Sequence, residues 1–407
     1  MEDLSAQNII DIYHHYCAPN YEPFPIVLTE GEGVWVRDTE EKKYVDCLAG
    51  YSALNQGHCH PAIYHAMINQ AQKITLATRI FYNPMVAQFL KKLCGIAHKE
   101  MALLMNSGVE AVETAIKAAR RWGYEVKNIP KDKAEIIVCE GNFHGRTSGV
   151  ISFSSDEIAR QNYGPYMPGF KQIPFGDSEA LEKAITSNTA AFLVEPIQGE
   201  AGVIIPPKGY LKSAYELCKE HNVLLILDEI QTGLGRTGKL FAYQYESPVD
   251  PDLLLLGKAL SGGYYPVSAV LGKRDILSRM TPGTHGSTFG GNPMAAAIGV
   301  AALEIILEEK LPERAAEMGA YFVAQLKSIN SPHIKAVRAQ GLMIGLTIKK
   351  SARKAKEFCK RLAQAGVLCK DVHDYHIRIS PPLVISKNEI DWVVQKLKNV
   401  FEEEDEG

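Results

Sequence analysis

Short, unbroken apolar runs alternate with stretches of helical period through the middle of this chain. The runs are Ala102–Met105, Ile136–Cys139, Phe192–Val194, Val223–Leu227 and Leu253–Leu256. A short apolar run that ends in a polar or charged residue predicts a strand covered on both faces. Between the runs, Val109–Trp122 and Gly209–His221 have helical spacing, with Val109, Val112, Ile116, Ala119 and Trp122 along the first. This alternation predicts an α/β fold, a mostly parallel sheet covered by helices. The texture changes after Asn292. Pro293–Leu307 is Ala-rich and helical, and helices then mix with short strands to the end. The extended, Pro-containing stretch Tyr21–Val36 is too small to be a domain alone and is expected to pack with the C-terminal part. The predicted organisation is an N-terminal segment (1–56) packing with a small α+β domain (295–407), beside a large domain (57–294).

Two of the runs end in a charge. Val223–Leu227 delivers Asp228, and Leu253–Leu256 delivers Lys258 into the Gly-rich turn Ser261–Gly262–Gly263. Strand carboxyl ends are where open α/β sheets bind ligands. A desolvated lysine has a lowered pKa and becomes a nucleophilic amine able to form a Schiff base. An Asp beside it is the partner that a pyridoxal phosphate ring nitrogen needs. Either residue alone could merely begin a loop.

Composition narrows the class. The 407 residues are 46% apolar and 22% charged, as in an ordinary globular protein, and the formal net charge of −3 gives no basic footprint for nucleic acid. No apolar run approaches membrane-spanning length. The acidic start Met1–Leu4 lacks a signal pattern, so a cytoplasmic protein is expected. The acidic run Phe401–Glu406 predicts a solvated end. Eight scattered cysteines without a CxxC pair predict reduced thiols, several in the core. His58–Cys59–His60 invites a metal reading. Neighbours on an extended segment point to opposite sides and no second ligand cluster accompanies them, so no metal is expected.

Two nucleotide motifs are decoys. Gly233–Gly238 matches GxGxxG but does not directly follow a strand, and no clear helix period follows it. The near P-loop ending at Lys239 has Leu240 where Ser or Thr would hold magnesium. A better phosphate site is Met105–Asn106–Ser107–Gly108–Val109–Glu110, where a strand ends and a helix begins. Free N–H groups and the positive helix terminus favour an anion there, although Ser107 would serve a plain N-cap equally well.

At this point the residues carry a family resemblance over nearly the whole chain. Its blocks are Ser52–His58, Asn142–Thr147, Val194–Glu200, Leu227–Gly233 and Gly257–Gly263. The sequence resembles class III pyridoxal-phosphate aminotransferases, most closely those acting on ornithine. The resemblance implies a fold type I transferase with pyridoxal 5'-phosphate as cofactor. Carried over, it implies that Lys258 holds the cofactor covalently and Asp228 salt-bridges its ring nitrogen. Phe143 would stack on the ring, Gln231 would bond its phenolic oxygen, and the Gly108 and Val109 amides, with Ser107 beside them, would hold its phosphate. Thr288 would reach the phosphate of a neighbouring subunit, which requires a homodimer or a higher assembly.

The resemblance also implies ornithine and 2-oxoglutarate as substrates. Arg146 would hold the α-carboxylate of ornithine. The acceptor carries a second carboxylate, for which Arg378 fits, and Glu200 would quench Arg378 while ornithine is bound. Tyr21 and Tyr51 match tyrosines near the free α-amino group and carboxylate. His144 departs from the Trp common in animal ornithine enzymes and agrees with the Phe-His-Gly-Arg form of acetylornithine enzymes. The alternatives are therefore an acetylornithine or other ω-amino acid aminotransferase, or a fold-related aminomutase or racemase.

Overall fold

The computed structural model describes residues 5–402; Met1–Leu4 and the acidic run from Glu403 onward lie outside the described residues. After a helix at Ala6–Tyr16, strands β1 (Leu28–Glu32), β2 (Trp35–Asp38) and β3 (Lys43–Asp46) pair antiparallel. Next come β4 (Met101–Met105), β5 (Glu135–Cys139), β6 (Phe170–Ile173), β7 (Thr189–Val194), β8 (Leu224–Asp228), β9 (Leu253–Leu256) and β10 (Ser268–Gly272). These seven form one sheet in the order β4-β10-β9-β8-β7-β5-β6. The remaining strands are β11 (Ile334–Gln340), β12 (Met343–Ile348), β13 (Val367–Leu368), β14 (Lys370–Val372) and β15 (His376–Ile379). Four of them form a sheet in the order β11-β12-β15-β14. The other, β13, pairs parallel with β3, Val367 opposite Val45 and Leu368 opposite Asp46.

The central strands β7, β8, β9 and β10 are buried on both faces because they have no polar face. In β9, Leu254 and Leu256 join one apolar cluster while Leu253 and Leu255 join the other. The helix Gly108–Glu125 fills the second cluster with Val112, Ile116, Ala119 and Trp122. On the opposite side the helix Pro293–Glu308 is buried almost all round and packs against the helices Pro61–Ala71 and Pro84–Ala97. Each fully buried Leu contributes roughly 1.5–3 kcal/mol, so this double cover is what fixes the strand ends in place.

The sheet departs from the predicted pattern at β10, which runs antiparallel to both neighbours. Neither β10 nor β6 was among the predicted strands. β6 is an edge strand containing Lys171 and Gln172, and β10 is a small-residue run directly behind a Gly-rich turn. Asp228 proves to be the last residue of β8 rather than the first residue of the loop. Residues 233–238 form turns and no helix begins there, leaving the Arg236 side chain buried. His58 Nε2 lies 2.8 Å from Asp46, and His60 caps the helix Pro61–Ala71 by accepting the Ala62 N–H. All eight cysteines are unpaired. No described helix is long and apolar enough to cross a membrane.

Candidate active site

Strands β4, β5, β7, β8 and β9 all end at the same edge of the sheet, and their carboxyl ends surround one cavity of about 190 Å³. The cavity is lined by Gly108 and Val109 after β4, Phe143 and His144 after β5, and Glu195 and Glu200 after β7. Asp228 and Gln231 enter it from β8, and Lys258 from β9. Lys258 sits at a left-handed φ of 43°. Such a conformation strains a residue bearing a Cβ by roughly 1–2 kcal/mol and is typical of side chains aimed for function. Burial, with Arg378 nearby, lowers the Lys258 ammonium pKa, against the opposing pull of Glu200, Asp228 and Glu195. A larger share of the amine is thereby neutral and nucleophilic.

Asp228 is held ready by two donors. Its Oδ2 lies 2.7 Å from His144 Nδ1, and its Oδ1 accepts the Ile230 N–H at 3.1 Å. Burial opposes the charge on the His144 ring, but the bond to Asp228 and the charges of Asp228 and Glu195 raise its pKa overall. The two bonds fix the Asp228 carboxyl in place while leaving lone pairs on both oxygens. His144 Nε2 is buried without a partner among the described residues. Glu195 accepts the Phe143 N–H at 3.0 Å, and burial pushes its carboxyl up to about 8.

The helix start after β4 is both a cap and an anion cradle. Ser107 is the N-cap and forms a capping box with Glu110, whose carboxylate accepts the N–H groups of Asn106 and Ser107. The next two residues, Gly108 and Val109, line the cavity, and as the first of the helix their N–H groups have no intrahelical acceptors. Gly145 lets the chain pass close to this point: at φ 124°, a Cβ there would collide with Val109. Ser268 Oγ donates to the Ser107 carbonyl at 2.7 Å, tying β10 to the cradle.

Beyond Lys258, Arg378 is fully buried and ion-paired to Glu200. Its Nε and Nη2 have no partner among the described residues. Burial raises the Glu200 pKa, but Arg378, Lys258 and Gln231 outweigh it and hold the carboxyl low. Gln231 Nε2 bridges Glu200 and the Tyr51 carbonyl. Tyr51 lies in a left-handed turn at φ 59°, with its ring 5.7 Å from the Arg378 guanidinium. Tyr21 is mostly exposed but close enough to affect Tyr51 electrostatically. Arg146 stands at the mouth, its guanidinium 5.5 Å from the Phe143 ring and 3.9 Å from Asp156. Thr288 is exposed and lines none of the cavities around Lys258; its neighbour Ser287 Oγ accepts from Asn106 at 2.9 Å.

The structure thus brings Lys258, Asp228, Phe143, Gln231, Gly108, Val109, Glu200 and Arg378 together, with Tyr51 beside Arg378, Tyr21 near Tyr51 and Arg146 lining the adjoining cavity. It leaves Thr288 outside. Sequence reasoning assigned no role to Glu195 or to the His144–Asp228 bond. The signal for Glu195 was present, since it directly follows β7, whereas His144 lies in the loop beyond β5 and meets Asp228 only through the fold. The site also accommodates the cofactor: a desolvated amine, a buried Asp held by His144, an aromatic face, two free helix N–H groups and an orphaned buried His144 nitrogen surround one small cavity.

This constellation at the carboxyl edge of such a sheet defines a pyridoxal-phosphate transferase. Residues 16–401 match the Aminotransferase class-III family, and the chain belongs to it, with pyridoxal 5'-phosphate as cofactor. The sequence is 56% identical over 393 residues to an ornithine aminotransferase from Geobacillus sp. (strain WCH70), covering 97% of this chain and 98% of that one. The fold matches the crystal structure of the ornithine aminotransferase from Toxoplasma gondii ME49 with a TM-score of 0.96 and 42% identity, over 98% of this chain and 96% of the other. It matches acetylornithine aminotransferase from Elizabethkingia anophelis with a TM-score of 0.89 and 44% identity, over 98% and 99% of the two chains.

Proposed function

We propose that this aminotransferase transfers the δ-amino group of L-ornithine to 2-oxoglutarate, giving glutamate 5-semialdehyde and glutamate. The observation that carries this reading is the Glu200–Arg378 pair facing Lys258. A dicarboxylate acceptor needs a second cation in the pocket, whereas an uncharged carbon chain needs that cation masked. Arg378 has two free donors for a carboxylate, and Glu200, part-exposed, is able to turn away. The near-full-length likeness to enzymes named for ornithine supports the same donor.

In this reading each side chain has one task. The cofactor, when bound, supplies an electron sink. Lys258 Nζ binds it and carries the proton to and from the substrate carbon that bears the transferred amine. Asp228, fixed in place by its bond to His144 Nδ1, would pair with the ring nitrogen. Phe143, anchored by Glu195, covers the ring face, and Gln231 serves the phenolic oxygen. The Gly108 and Val109 amides, beside Ser107, hold the phosphate. Arg146, with Tyr21 and Tyr51 nearby, holds the α-amino acid end of ornithine. Thr288 would serve a partner's phosphate, so the enzyme is read as a homodimer. Exposed Ile80, Phe81, Tyr82 and Phe289 supply apolar surface for such contact. Sedimentation of the holoenzyme as an active monomer would remove this part. Eight unpaired thiols fit a cytoplasmic setting.

The second reading, acetylornithine as donor, is favoured by His144 and by the Elizabethkingia likeness. A donor panel with 2-oxoglutarate separates the two, comparing ornithine, acetylornithine, 4-aminobutyrate and lysine. Ornithine is expected to give the highest kcat/KM, and Lys258→Ala to abolish turnover with every donor. A higher kcat/KM for acetylornithine would sink the ornithine assignment.

A further inference from the structure

A second cavity, of about 430 Å³, opens beside the first and shares Phe143, His144, Gly145 and Glu200 with it. Arg146 lines one side and Lys370, from β14, lines the other. Lys370 is not a casual edge-strand lysine. It stands directly opposite Arg378 across the β14–β15 ladder, and directly opposed residues of an antiparallel pair project to the same face. Its amine ion-pairs with Asp371 Oδ1 at 2.8 Å, which uses one of three N–H donors and orders a side chain that would otherwise be free. It is close enough to Tyr51 for each to affect the other electrostatically. Burial disfavours its charge, but the Asp371 bond and the Asp371 and Tyr51 charges raise its pKa, so it stays cationic.

Resting on the ornithine reading, we propose that Lys370 is a specificity-determining residue: with Arg146 it holds the carboxylate at the substrate end remote from Lys258. The same place takes the remote carboxylate of 2-oxoglutarate. A cation there favours amino acids over simple diamines. Ornithine brings a carboxylate to two positive charges, whereas 1,4-diaminobutane brings only a second ammonium, which they repel.

The test is steady-state kinetics of the holoenzyme and of Lys370→Gln and Lys370→Arg, with ornithine, 1,4-diaminobutane and 2-oxoglutarate. Lys370→Gln is expected to raise KM for ornithine and for 2-oxoglutarate about tenfold, the size of one charge-assisted hydrogen bond, with kcat little changed. Its kcat/KM for 1,4-diaminobutane should hold or rise, and Lys370→Arg should restore both carboxylate KM values. Equal loss with ornithine and the diamine would make Lys370 structural, and unmoved KM values would place it outside the site. If the parent enzyme rejects ornithine, the functional reading falls, and KM for 2-oxoglutarate still decides the role of Lys370.

Discussion

Arg236 and Arg378 are both fully buried and repel each other, yet they are held in opposite ways. Arg236 is locked by neutral, immobile acceptors: the carbonyls of Leu342 and Pro381 at 3.1 and 2.6 Å, and Asn55 Oδ1 at 2.6 Å. Burial, then Arg378, push its pKa down to about 9. Among the described residues Arg378 is ion-paired to Glu200, on a part-exposed side chain, and keeps two donors open. The first arrangement stitches residues 55, 236, 342 and 381 together; the second stores a cation for a ligand. Two carboxyls near the site divide in the same manner. Glu200, beside Arg378, is held low, while Glu195, buried against a backbone N–H, is pushed up to about 8.

The largest expected effect breaks the structural member of the pair. Arg236→Ala strands three buried acceptors, at about 1–3 kcal/mol each, so the unfolding free energy should fall by roughly 3 kcal/mol or more. Denaturant titration beside Arg378→Ala checks this; if the Arg378 variant loses as much stability, the contrast between the two arginines fails. Next in size is the activity of Arg378→Ala. Single-turnover measurement of the 2-oxoglutarate half-reaction should show a loss of about ten- to hundredfold, with the ornithine half-reaction largely kept. Glu200→Ala should do the reverse, slowing the ornithine half-reaction about tenfold and sparing the glutamate one. Equal damage to both halves would make Glu200 a structural residue.

The smallest effect is a pH dependence. Glu195 has its folded pKa raised from 4.5 to about 8. Below about 4.5 the carboxyl is protonated in both the folded and unfolded states. As pH rises toward about 8 only the unfolded state ionises, so stability falls across that window and levels off above it. Glu195→Gln removes the penalty while its amide oxygen keeps the Phe143 N–H bond. Thermal melts of the cofactor-free protein should match the parent near pH 5 and exceed it by a few degrees near pH 8. A constant difference across the window would refute the raised pKa.

Much of the large sheet was legible because its strands are apolar on both faces. Leu253–Leu256 reads directly as a covered strand, and the charge that follows marks the ligand edge. β6 and β10 were hidden, one by its edge polarity and the other by small residues. Lys258, Asp228 and the cradle at Gly108 and Val109 could be located from strand ends alone. The partners of Arg378 needed the resemblance, since nothing in local pattern says that residue 378 meets residue 200. Arg236 was misleading for a related reason: the glycines around it resemble a nucleotide loop, and only packing reveals that they let a buried guanidinium reach three distant acceptors. Lys370 carries no local signal; its importance comes from register, as the residue across the ladder from Arg378.

The pairing of β13 with β3 has a consequence for the order in which the chain is made. Val45 pairs with Trp35 on one side, but on the other it finds its neighbour only at Val367. On the ribosome the first sheet therefore keeps an open edge until nearly the whole polypeptide has emerged, and Arg378 follows only then. Non-local pairing of this kind is slow and leaves strand edges exposed meanwhile. The central sheet, whose strands lie within residues 101–272, is able to assemble first. Lys258, Asp228, Arg146 and Glu200 are thus made before Lys370 and Arg378, so a chain arrested short of β13 lacks both of the cations that β14 and β15 bring to the substrate carboxylates.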